Sequence, residues 1–237
     1  MELNSLNDTN IKLIKESHKY EHLKHRELTF TSVTSFVENF FEKFDSFKIA
    51  KKLIKNYKKY SNYTVESLVK KWNETANYGT FVHEELENWV KYQIIPKEKK
   101  SISGMNWLKN YMMKSEYEFF PEKIVFSKEL EIAGTIDILA LDKKDNKYDL
   151  IDWKTSKKIE MNAYGGKVGT KIATSNVPDC NYYHYTLQLS LYRYLLERYY
   201  GLKIRNLIIA HLKEDYARAI KVPYMINEII DMLNQKH

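Results

Sequence analysis

Apolar positions along the chain change period near residue 121, and that change divides it into a helical part and a strand-rich part. In Gly79–Gln93 the apolar residues Val82, Leu86, Trp89 and Val90 recur at helical spacing, and Pro96 marks the stop. Upstream, Phe36, Val37, Phe40, Phe41 and Phe44 share one helical face. Ser35 with Glu38 three residues on fits a capping box, which predicts a helix of about ten residues there. Phe30-Thr31-Ser32-Val33-Thr34 reads as a short extended piece before it, Asn106–Met113 as another short helix, and residues 1–75 as mostly helical.

Beyond Pro121 the period is that of strands. Lys123–Ser127, Glu131–Leu141 and Tyr148–Lys154 are predicted strands, the last two joined by the polar turn Asp142–Lys147. Residues 157–185 form an irregular excursion containing Gly and Asn, and runs of that length inside a domain are usually functional. Thr186–Tyr200 is a helix apolar on most of its circumference, with Gly201 as its C-terminal stop. Arg205–Leu212 gives a last strand and Ile226–Leu233 a closing helix. No internal repeat is visible.

Composition narrows the classes. The chain has 237 residues, 43% hydrophobic and 14% aromatic, which fits one large domain, or a domain with an appendage, and excludes a disordered polymer. No 18-residue stretch is free of charge, so no membrane span is expected. The amino terminus lacks the pattern of a secretion signal, which makes a cytoplasmic location, in a bacterial or host cell, the expectation. The single Cys180 rules out an internal disulfide and an iron-sulfur cluster built from this chain alone. A formal charge of +7 fits a polyanionic partner such as nucleic acid, and equally a solvated lysine-rich surface. The run from Lys48 to Lys71 interleaves lysines with tyrosines and aliphatics, as a strand-binding surface or an ordinary amphipathic helix does.

The candidate chemistry sits on the hairpin around the Asp142–Lys147 turn. If Leu141 faces Tyr148, stepping back along both strands brings Asp137 opposite Asp152 on one face, with Lys154 on that face too and Trp153 turned into the core. Facing carboxylates destabilise a sheet pair unless a cation lies between them, and a hard divalent ion suits them. Acid-x-Lys triplets also occur at Glu98/Lys100, Asp142/Lys144 and Asp145/Lys147. Only Asp152-Trp153-Lys154 ends an apolar strand in register with a second acid, and a plain Asp152–Lys154 ion pair is the competing reading.

The series GTFVHEELE, GTID, DWKTS and QLSLY, in that order, resembles the RecB-like branch of the PD-(D/E)XK nuclease superfamily. Within that branch it is similar to the viral and phage exonucleases and the mitochondrial genome-maintenance exonuclease, which also carry a segment like Ser32-Val33-Thr34. The likeness covers roughly residues 18–215. It implies an α/β fold with a restriction-endonuclease-like core at 79–237, a central mixed sheet flanked by helices, and a helical N-terminal region at 1–78 packed on it.

By position, the resemblance makes His83, Asp137, Asp152 and the Trp153 carbonyl ligands of magnesium, for which manganese may substitute, with no iron-sulfur cluster. Lys154 would position the attacking water, and Gln188 and Tyr192, four apart on one helical face, would support the site and contact substrate. Substrate contacts are further implied at Ser32, Thr34, Thr155 and Tyr185. The implied activity is metal-assisted hydrolysis of phosphodiester bonds at single-stranded DNA ends. Glu87, one turn after His83, either reaches the same site or is solvated. Two other readings stay open: an endonuclease of the same superfamily, and a non-catalytic DNA-binding module.

Overall fold

The computed structural model describes residues 3–15, 17 and 19–235. Met1, Glu2, Glu16 and His18, in the stretch expected to be mostly helical, lie outside the described residues, as do Lys236 and His237. The chain opens with strands β1 (Ile11–Ile14) and β2 (Lys19–His22), a short strand β3 (Thr31–Ser32), and helices α1 (Val33–Glu38), α2 (Ser46–Asn56), α3 (Val65–Tyr92) and α4 (Lys99–Met112). Strands β4 (Tyr117–Ser127), β5 (Ile132–Asp142) and β6 (Lys147–Lys154) follow, then α5 (Asn181–Tyr200), β7 (Ile204–Leu212), β8 (Ala217–Val222) and α6 (Ile226–Asn234). Among the described residues no helix is long and apolar enough to cross a membrane.

The expected helical character of residues 1–75 fails at its start. β1 and β2 form an antiparallel hairpin, with Ile11 opposite His22, which buries Ile11 and Tyr20 against Phe30, Phe126 and Ala133. Each strand is only four residues long, too short for alternation to show in the sequence. The cap of α1 is Ser32 rather than Ser35: its Oγ accepts from the Ser35 N–H at 3.0 Å, because β3 pairs in parallel with Ile132 and Ala133 and ends the extended piece there. The helix has six residues, and Phe40 and Phe41 are buried in the turn beyond it.

α3 is longer than expected and runs through residue 79, so the 78/79 boundary falls inside one helix. Its first half, from Lys70 to Ala76, is almost wholly exposed, which hides the helix from a hydrophobic-period reading. A capping box between Thr64 and Ser67 starts it. Gln93, at φ 59°, ends it before Pro96 is reached. β4 likewise begins well before Lys123 and runs through Pro121. Among the described strands it pairs only with β5, and an edge strand is where proline is tolerated.

The main sheet is mixed. β5 pairs antiparallel with β4 and β6, β6 parallel with β7, and β7 antiparallel with β8. Residues of α1, α5 and α6 pack with Leu139, Leu150, Leu207 and Ile209 on one face, and residues of α3 and α4 with Ile138, Ile151, Trp153 and Ile208 on the other. The fold is therefore α/β, a mixed sheet flanked by helices.

Two irregularities prepare the site. β3 and β6 share one edge of β5 at opposite ends: β3 meets Ile132 and Ala133, whereas β6 pairs only from Ile138 outward. The edge between them is split. β5 also exchanges faces there, since Ile132 and Ile136 pack on the α5 side while Ile138 and Ala140 pack on the α3 side. β4 makes the same exchange around Glu122, which has φ 49°. The ladder pairs Pro121 with Ile138 and Lys123 with Ile136, so Glu122 stands opposite Asp137 with the register unchanged.

Candidate functional site

The split edge leaves backbone groups that a ladder would have satisfied, and side chains take them up. Asp137 Oδ2 accepts from the Trp153 N–H at 2.7 Å, and the Tyr192 hydroxyl donates to the Thr135 carbonyl at 2.8 Å. β6 pairs Ile151 with Ile138, so one further step places Asp152 beside Asp137, as the hairpin arithmetic predicts. Glu122, Asp137 and Asp152 thus occupy one row across three neighbouring strands.

Helices supply the surrounding groups. From α3, His83 Nδ1 lies 3.3 Å from Asp137 Oδ1. From α5, Gln188 Nε2 donates to Asp152 Oδ1 at 3.4 Å, a long bond. Lys154 Nζ lies 2.7 Å from Asp152 Oδ2 and 4.5 Å from the centre of the Tyr185 ring. Asp152 is only 5% exposed, and its Oδ2 accepts no well-directed hydrogen bond: the ammonium is close enough for an ion pair but badly aligned for a hydrogen bond. The atoms that His83, Glu122 and Asp137 could offer to a metal all lie within 4.8 Å of one another.

The electrostatics are those of crowded acids with too few donors. Burial, the Asp137 charge and the Glu87 charge push the Glu122 carboxyl up to about 8. Burial pushes Asp152 up to about 6, with the Asp137 charge adding to it and Lys154 opposing. Asp137 moves the other way: burial raises it, but His83, Lys154 and the Trp153 N–H together hold it below the usual carboxylate range. Burial works against a charged His83, yet Asp137 outweighs that and holds the imidazole above its ordinary value. Lys154 is raised in the same way, burial being outweighed by Asp152 and Asp137.

The structure brings together His83, Asp137, Asp152, Lys154, Gln188 and Tyr185. Trp153 is buried among α3 and α4 residues, with its N–H on Asp137. Thr155 is adjacent: its Oγ1 is near Gly79, one turn before His83, where an added Cβ would lie 3.1 Å away, and its carbonyl accepts from Lys100 at 2.7 Å. Tyr192 braces β5 from inside the core, 4% exposed, against Gly134, where a Cβ would come within 2.6 Å of its ring. That placement does not suit the expected substrate contact. Ser32 is occupied as the cap of α1, and Thr34 is exposed on that helix. Glu87 is ion-paired to Lys91.

Glu122 was not among the sequence-derived candidates. A signal existed: Ser127 opposite Ile132 at the preceding turn gives a register that sets Glu122 against Asp137, but Pro121 hides the strand. The excursion also differs from expectation. Of its lysines, Lys167 pairs with Glu42 and Lys171 lies 4.4 Å over the Phe40 ring, so both engage the protein itself. The Tyr164 and Tyr57 hydroxyls meet at 2.9 Å, tying the excursion to the end of α2.

No family model matches the chain, and no curated protein matches it. A solved structure described as "Crystal structure of SSO0001" is similar at a TM-score of 0.37 and 13% identity, over 87% of this chain and 75% of that one, a likeness too slight to bear on fold or function.

Proposed function

We propose that the chain is a metal-dependent deoxyribonuclease with a restriction-endonuclease-like core, of the RecB-like branch, that hydrolyses phosphodiester bonds at single-stranded DNA ends. The observation that carries this reading is the pairing of Asp137 and Asp152 at a split sheet edge, with Lys154 2.7 Å from one carboxylate and His83 3.3 Å from the other. A purely structural Asp152–Lys154 pair has no need of a second buried acid beside it, because like charges in adjacent strands cost stability.

The donor set suits a hard cation: carboxylates and an imidazole converge, no thiolate is near them, and a buried Asp152 oxygen lacks a well-directed hydrogen bond. Asp137, Asp152, the Trp153 carbonyl and His83 would hold magnesium or manganese. Such an ion, when bound, supplies Lewis-acid polarisation of a phosphoryl oxygen and makes water a stronger acid.

The chain's own groups do the rest. Lys154, fixed between Asp152 and the Tyr185 ring, holds the attacking water and offsets charge on the phosphate. Gln188 orients Asp152 through its amide, and Trp153 orients Asp137 through its N–H. The surplus of +7 favours a polyanionic substrate.

The test is incubation with end-labelled linear and circular single-stranded DNA, with and without magnesium. Magnesium-dependent loss of the linear strand and survival of the circle is expected. Cutting of the circle would replace this reading with an endonuclease, and binding without cleavage would replace it with a DNA-binding module.

A further inference from the structure

The three carboxylates in the row are not served alike. Asp137 has the Trp153 N–H and His83, and Asp152 has Gln188 and Lys154. Among the described residues, Glu122 has neither a hydrogen bond nor an ion pair. Its backbone nevertheless stands at φ 49°, in the left-handed region that disfavours any residue but glycine. A partly buried acid in a strained position with no partner destabilises the apo protein twice over. Its oxygens also converge with those of Asp137 and with the His83 ring, whereas Asp152 stands outside that group, on the α5 side.

We propose that Glu122, with His83 and Asp137, forms a second divalent-cation position beside the Asp137–Asp152 pair, so that the centre takes two ions and Asp137 serves both. This inference rests on the metal-dependent reading given above. A second observation points the same way: Asp152, 5% exposed, keeps a buried oxygen without a well-directed hydrogen bond even though His83 is drawn to Glu122 and Asp137. One ion cannot occupy both ends of the row. Each end has its own incompletely served acid, and each draws its helper from a different face of the sheet, His83 from α3 and Gln188 from α5. The exchange of faces at Asp137 and Glu122 is what lets Asp137 meet both.

The test counts ions directly. Manganese is titrated into the metal-free full chain and free ion is read by electron paramagnetic resonance, for the wild type, Glu122→Gln and Asp152→Asn. Two ions are expected in the wild type and one in each variant. Affinity for the lost ion should fall by more than about tenfold, the scale seen when even an indirect partner of a metal ligand is removed. Glu122→Gly separates ligation from architecture, because it deletes the carboxylate and relieves the backbone: one ion should be lost while the ion-free melting temperature rises.

If Glu122→Gln and Glu122→Gly keep the wild-type ion count and affinity, the second position is wrong and the metal-dependent reading stands. A wild type that binds a single ion, lost in Asp152→Asn and kept in Glu122→Gln, has the same meaning. A wild type that binds no manganese overturns both.

Discussion

The β5–β6 hairpin carries an acid cluster at each end, and the two are solved in opposite ways. At the turn end, Asp149 is fully buried and receives Arg205 in bidentate fashion at 3.0 and 2.7 Å, Asn206 at 2.6 Å, and the Tyr111 hydroxyl. Asp142 there accepts from Ser115, the Lys144 N–H and Arg205. At the split end, Glu122 has no partner, Asp152 has a long amide bond and a poorly aligned ammonium, and Asp137 has one well-formed hydrogen bond.

Counting charge does not separate the clusters, since each sets three carboxylates against few cations. Counting directed donors does. Where donors are sufficient, acids behave as structural parts, and Asp142 is held below the usual range by its Ser115 and Arg205 bonds. Where donors run short, carboxyls are driven up, to about 8 at Glu122 and about 6 at Asp152. The shortage is what a bound cation or substrate phosphate would relieve.

The largest effect should come from removing the site's reactive groups. Asp152→Ala and Lys154→Ala are each expected to lower the rate of strand cleavage by at least about 10²–10³-fold. Both should leave the circular-dichroism melt close to wild type, because Lys154→Ala lets Asp152, already raised, take up a proton. Wild-type turnover in Asp152→Ala would make the split end another structural cluster and remove the contrast.

The matching change at the turn end has the opposite profile. Asp149→Ala strands Arg205 and two tyrosine hydroxyls in the interior, and breaking such a pair costs about 3–5 kcal/mol. Denaturant unfolding should show that loss, while manganese affinity stays at the wild-type value. A variant that unfolds no more easily but loses metal would show that the two ends communicate along β5 and β6.

The hairpin was legible because a short polar turn fixes the register by counting, and one count placed Asp137, Asp152 and Lys154 together. The same count across the preceding turn places Glu122, but Pro121 and a left-handed residue look like the end of a strand rather than its middle. Alternation also assigns each strand one face, so the exchange of faces at Asp137 was hidden. That exchange is a tertiary event, set by the hairpin of β1 and β2 covering one end of the sheet and α3 with α4 covering the other. The exposed first half of α3 had no apolar period to read.

The pH dependence of stability should distinguish the clusters next. Glu122 and Asp152 are raised in the folded chain above their ordinary values of 4.5 and 3.8. Between those values and about 8 and about 6 the folded state keeps protons that the unfolded state has released, so these groups lower stability as pH rises through that window. His83, also raised, loses its stabilising charge in the same direction. Asp142 is depressed, so its contribution is present above the ordinary carboxylate range and disappears as pH falls through the folded value. Divalent ion binding needs the site acids deprotonated, and the rise in melting temperature on adding magnesium should therefore be larger near pH 8 than near pH 5. Glu122→Gln should flatten the ion-free slope on the alkaline side and leave the acid side unchanged.

The smallest effect tests whether burial or mere membership sets a residue's importance within the satisfied cluster. Arg205 Nη1 bonds Asp142 at 2.9 Å and Asp145 at 3.1 Å, but Asp142 is buried while the Asp145 side chain is 38% exposed. Removing Asp145 leaves Arg205 with Asp142 and Asp149, and water replaces the lost carboxylate at little cost. Asp145→Ala should therefore cost about 0.2–1 kcal/mol, and the difference should shrink in high salt. Asp149→Ala should hardly respond to salt, since its partners are shielded from solvent. If the two variants cost the same, the turn-end network acts as one unit, and satisfaction by donors would have to be judged cluster by cluster rather than acid by acid.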